Sequence, residues 1–107
     1  MTDEEYVRSV WLDVDIEWNL IEGKWYGMAH SNGRGIPLHG FETEEEIWSA
    51  AAAFTSERLE AIQLLEEEID VLTEYKDLIV PEAGVVLTRV LVLRQAALKE
   101  FKQGMKE

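Results

Sequence analysis

Hydrophobic and polar residues alternate along residues 10–18. Val10, Leu12, Val14, Ile16 and Trp18 fall on one face, and Trp11, Asp13, Asp15 and Glu17 on the other. Period two in β-branched and aromatic residue types predicts a half-buried strand. Residues 19–23 read as a hairpin loop and 24–30 as the return strand, with Trp25 and Tyr26 available for cross-strand packing. Ser31-Asn32-Gly33-Arg34-Gly35 has the residue types of a second turn. A short third strand at 36–39 belongs at a sheet edge, because Pro37 has no N–H to give a ladder.

The periodicity then changes. Thr43-Glu44-Glu45-Glu46 is a capping box, and three glutamates in the first turn suit the positive end of the helix dipole. A helix is predicted over 43–76. Its steps Ile62, Leu65, Ile69 and Leu72 form a three-four-three seam. Residues 77–84 interrupt it, with Pro81 and Gly84 as breakers. A second helix is expected over 85–104, with Leu87, Val90, Leu91, Arg94, Ala97, Leu98, Phe101 and Met105 on one stripe. The β-branched stretch 85–92 is compatible with a strand, but the period that follows it is helical.

The expected fold is α+β: a small antiparallel sheet of two or three strands, then a long antiparallel helical hairpin. One domain is read over residues 1–107, with a β unit at 1–41. Val86, Val92 and Leu93 lie off the main stripe of the second helix, and an all-round apolar helix is usually buried on several sides. The seams at Ile62, Leu65, Ile69, Leu72, Leu87, Leu91 and Leu98 are therefore expected to mediate a homodimer or a stable complex with another protein.

Composition adds limits. Hydrophobic residues make up 47% of the chain, with four tryptophans, so a core can form. Cysteine is absent, which rules out disulfides and thiolate metal sites and fits the cytoplasm. The acidic start Met1-Thr2-Asp3-Glu4-Glu5 lacks the order of a signal peptide, and the most apolar run, 85–93, is too short to span a bilayer.

Charge is the stronger signal. Residues 42–70 hold ten acidic side chains and one basic, Arg58, whereas 83–107 hold five basic and two acidic. Residues 1–82 carry 20 acids and 5 bases, a formal −15, within a total of −12. Such a field attracts cationic surfaces and repels nucleic acid and anionic membranes.

Catalytic patterns are weak beside it. Asp13, Asp15 and Glu17 would stand about 7 Å apart on one strand face, close enough to share a hard cation, but no second carboxylate segment completes a site. Glu57-x-x-Glu60 and Glu67-x-x-Asp70 resemble the acidic helix motifs of MazG-type nucleotide pyrophosphatases. In that family the motifs face each other from two helices, and here they fall on one. His30 and His39 lack zinc-site spacing, and no serine sits in a nucleophile elbow. No enzyme, metal or cofactor is expected. Arg58 falls on the apolar seam, where its stem can lie along the core, or it can pair with Glu57 or Glu60 of a second copy. Trp11, among the strand carboxylates, is either an exposed interface anchor or packed against the second helix, with the sheet buried on both faces.

The order of strands with Trp25-Tyr26 on the return strand, then Phe41-Glu42-Thr43-Glu44-Glu45-Glu46 leading into an alanine-rich helix, resembles the N-terminal unit of HicB-type antitoxins over about residues 12–54. Glu42, Thr43, Glu45 and Glu46 match that family's Gly-Asp-Thr-x-Glu-Glu-Ala pattern in kind. Phe41 and Ile47 depart from it, and a helical hairpin replaces the usual DNA-binding module. The resemblance implies an acidic protein that masks a basic RNase. Together with the charge it leads to the expectation of a non-catalytic inhibitor. Such an inhibitor would contact a basic protein partner, a nuclease or nucleic-acid-binding complex, through Trp11, Asp13, Asp15, Glu17, Glu57, Glu60, Glu66, Glu67 and Asp70. The alternative is an assembly protein acting through the helical hairpin.

Overall fold

The computed structural model describes residues 1–29, 36–78 and 81–106. The elements run α1 (Asp3–Val10), β1 (Val14–Asn19), β2 (Lys24–Ala29), β3 (Ile36–Phe41), α2 (Glu44–Lys76) and α3 (Pro81–Phe101). This is an α+β arrangement: a three-stranded antiparallel sheet in the order β1-β2-β3, then a long helix and a second helix. His30 and the turn expected at 31–35 lie outside the described residues. The chain divides into two compact units, Met1–Glu57 with Gln103–Glu107, and Arg58–Lys102.

In the first unit the expected strand over 10–18 is corrected at its start. Residues 3–10 are helix α1, and β1 begins at Val14. Thr2 caps α1 by accepting a hydrogen bond from the Glu5 amide at 3.1 Å, and Asp3, Glu4 and Glu5 occupy its first turn. Val10 and Leu12 continued the alternation only by coincidence, because a helix end and a strand start abut there. Val14 and Ile16 do turn toward the core while Asp15 and Glu17 face solvent. Trp18, expected inward, is 43% exposed and packs edge-on against Trp25, its cross-strand partner, with ring centroids 5.5 Å apart.

β2 must approach its neighbours closely. A Cβ at Gly27 would collide with Cδ1 of Ile16 and press on the Asp15 carbonyl and on Ile47. Between Trp25 and Tyr26 the β2–β3 register shifts past Gly40, whose φ of 84° few other residues adopt. β3 is an edge strand, as its proline requires.

The core of this unit is Val7, Trp11, Ile47, Trp48 and Ala51, ringed by Val14, Ile16, Trp25, Leu38, Phe41 and Met105 among others. Residues 103–106 close it. Trp11 bridges to Met105, Leu12 N–H donates to the Gly104 carbonyl at 2.8 Å, and Lys106 N–H donates to the Val10 carbonyl at 2.7 Å.

The second unit is an antiparallel pair of helices. The Arg58 guanidinium lies 4.6 Å from the Phe101 ring centroid, Glu68 pairs with Arg94 at 3.1 Å, and Glu66 with Lys102 at 2.8 Å. Ile62 and Leu91 are buried, and Leu65, Ile69, Leu72, Leu87, Val90 and Leu98 are half-buried. Residues 85–92 are helix. The predicted break is shorter than 77–84: α2 ends at Lys76, Pro81 opens α3 at a position where a missing N–H costs nothing, and Gly84 lies inside that helix. Of the seam residues assigned to oligomerisation, Ile62 and Leu91 are buried and the others half-buried within one chain.

Candidate interaction surfaces

The first unit concentrates the charge. It carries thirteen acidic and four basic residues, a formal −9, and the helical pair carries nine and six, a formal −3. Asp13, Asp15 and Glu17 are exposed together beside and along β1, as the alternation predicts. Glu57 belongs to this unit, whereas Glu60, Glu66, Glu67 and Asp70 belong to the other. On α2, at 100° per residue, Glu60, Glu67 and Asp70 lie within roughly 80° of one another, and Glu57 and Glu66 lie at the two ends of a roughly 180° arc. Glu66 is held by Lys102, and Glu67 accepts a hydrogen bond from the Gln63 amide at 3.3 Å. The five of them on α2 therefore spread over about half of its circumference.

Trp11 is removed from them altogether. It is 1% exposed, and its Nε1–H donates to the Thr55 hydroxyl at 3.0 Å, which in turn donates to the Ala51 carbonyl at 2.7 Å. A buried indole whose one polar atom is satisfied belongs to the core. Its neighbours in sequence suggested an exposed face only because the strand was read as starting at residue 10, four residues before Val14.

Two features were not read from the sequence. The tip of the β1–β2 hairpin places Leu20 and Ile21 almost wholly in solvent, at 86% and 96% exposed, with Trp18 behind them. The first turns of α1 and α2 also border a groove of about 560 Å³ lined by Thr2, Asp3, Glu4, Glu44, Glu45, Trp48 and Ser49. Arg8 lies over the Trp48 ring at 5.1 Å and pairs with Glu4 at 3.2 Å. The available signal for this groove was Thr2-x-x-Glu5, the same capping pattern that marked Thr43-x-x-Glu46.

Lys24 holds the Glu42 carboxyl below its usual range, first through their 2.7 Å hydrogen bond and then through its charge. Among the described residues no group of three or more His, Asp or Glu side chains could hold a metal ion. His39 is exposed near the Tyr26 ring, and Ser9 donates to the Tyr6 carbonyl. Among the described residues no helix is long and apolar enough to cross a membrane.

The fold and its surfaces thus define a small α+β protein with an acidic sheet-bearing unit and a nearly balanced helical pair. No known protein family, curated protein or solved structure matches the chain.

Proposed function

We propose that this protein is a non-catalytic inhibitor that covers the basic, nucleic-acid-binding surface of a partner protein in the cytoplasm, in the manner of antitoxins, nucleic-acid mimics or phage anti-defence proteins. The concentration of thirteen acids against four bases on the first unit carries this reading. Asp13, Asp15 and Glu17 set a row of carboxylates on one strand face, and Leu20 and Ile21 add apolar contact at the hairpin tip. Charged rows speed encounter and select partners, while apolar anchors supply most of the affinity. The resemblance of residues 12–54 to HicB-type units points the same way.

The test is capture from host lysate with parallel low-salt and high-salt washes. A basic nucleic-acid-handling protein retained at low salt and lost at high salt is expected. Capture that ignores salt, or that survives the combined Asp13→Lys, Asp15→Lys and Glu17→Lys changes, would overturn the reading.

The second reading, an assembly protein acting through its helical hairpin as a homodimer or in a stable complex with another protein, has its own observation. Leu64, Val71, Tyr75, Val85, Val86, Val92 and Leu93 are all more than half exposed on the helical pair.

A further inference from the structure

The sheet has one edge on which a further strand can form. β2 is paired on both sides, whereas β1 pairs with β2 alone. The Asp15 carbonyl points at β2, lying 3.1 Å from where a Cβ on Gly27 would stand. The Val14 carbonyl points the other way and accepts from the Arg8 guanidinium at 3.5 Å. Main-chain groups of an antiparallel strand alternate in this fashion, so the N–H and C=O of Ile16 and Trp18 also point off the edge. Among the described residues no segment besides β2 bonds to the main chain of residues 15–18. The opposite edge, β3, is closed to this: Pro37 has no N–H to give, and the register shift near Gly40 breaks its line.

An open edge accepts other strands unless its side chains select among them. Asp15 and Glu17 are exposed on one face of β1, with Asp13 exposed just ahead of them, and Val14, Ile16 and Trp18 occupy the other face. A second copy of β1 laid along this edge would set carboxylate against carboxylate, which destabilises a strand pair. A strand with Lys or Arg opposite Asp15 and Glu17 gains at both positions instead. Its intervening residues would lie beside Ile16 and the exposed Trp18 ring, where apolar side chains fit.

We infer that β1 is a docking edge for an extended basic segment of a partner protein, which adds antiparallel to the sheet with Lys or Arg alternating with apolar residues. This rests on the inhibitor reading for the class of partner and adds how that partner is held. Main-chain bonds to Ile16 and Trp18 supply affinity, and the carboxylates supply selection. They also fix the register, because a slip of one residue would carry every basic side chain to the apolar face.

The experiment is an NMR titration of the isotope-labelled full chain with a short synthetic peptide of alternating Lys and Val. Saturable binding is expected, with amide exchange slowed at Ile16 and Trp18 and unchanged along β3. In this pairing the Val amides of the peptide face β1. A twin methylated on those amides keeps its charge and should bind about tenfold or more weakly, having lost its bonds to the edge. A twin methylated on the Lys amides, which face away, should bind like the parent. Asp15→Lys with Glu17→Lys should turn the preference to a peptide of alternating Glu and Val. Absence of binding would overturn the inference. Equal binding by the parent and the Val-methylated twin would also overturn it, since charge alone would then hold the peptide, as would unaltered exchange at Ile16 and Trp18. The inhibitor reading fails separately, through lysate capture that ignores salt, whatever the peptide does.

Discussion

The indole N–H of Trp11 reaches the hydroxyl of Thr55 across 44 residues of sequence, and both side chains are out of solvent. Thr55 passes the bond on to the Ala51 carbonyl within α2. This joins the segment after α1 to the helix that crosses the sheet unit's core. Thr55→Val keeps the volume but strands a buried donor, which costs about 1–3 kcal/mol. Trp11→Ala adds a cavity and should cost about 3–5 kcal/mol. Urea denaturation of both variants measures these values. A loss below about 0.5 kcal/mol for Thr55→Val would show the bond to be dispensable.

Gly27→Ala should destabilise the first unit by about 1–3 kcal/mol, because the added methyl must displace Ile16 and Ile47. Thermal unfolding reads the effect. Pairing with Ile16→Val should recover part of it, since that change removes the Cδ1 atom in the way.

The two caps can be tested separately. Thr2→Ala should cost about 1 kcal/mol by releasing the Glu5 amide, and Thr43→Ala should cost a similar amount at α2, where Glu46 N–H donates to Thr43 at 3.1 Å. The Thr2 change should raise amide exchange in residues 3–10 alone. Exchange rising equally in α2 would show that α1 is not an independently capped helix.

Glu42 has a depressed pKa in the folded state because Lys24 favours its charged form. The sign follows: its contribution to stability is present above the unfolded-state pKa and disappears as pH falls through the folded one. The pair is exposed, so the effect on stability is small. Carboxyl chemical shifts should show Glu42 titrating below the ordinary glutamate range, and Lys24→Met should move it back up.

Leu20→Ser with Ile21→Ser removes apolar surface that touches solvent, so stability should stay within about 0.5 kcal/mol. Capture of the basic partner should nevertheless fall by tenfold or more, as read in the same lysate assay. Unchanged capture would place the contact on the carboxylates alone.

The alternation of Val14, Asp15, Ile16 and Glu17, the capping box at Thr43 and the seam at Ile62 to Leu72 carried the sheet and both long helices in the sequence, since strand and helix periods are local. The α1 helix was hidden because Val10 and Leu12 prolonged the alternation across a boundary marked only by Thr2-x-x-Glu5. For the surfaces, the sequence by itself determined the formal charge, because that follows from residue type, and it put Asp13, Asp15 and Glu17 on one face. Burial was decided only in three dimensions. Trp11 is core because Thr55 and Met105 arrive from distant segments, and Leu65 and Leu91 face inward while Val71 and Leu93 stay in solvent because α2 and α3 use one stripe each on one another.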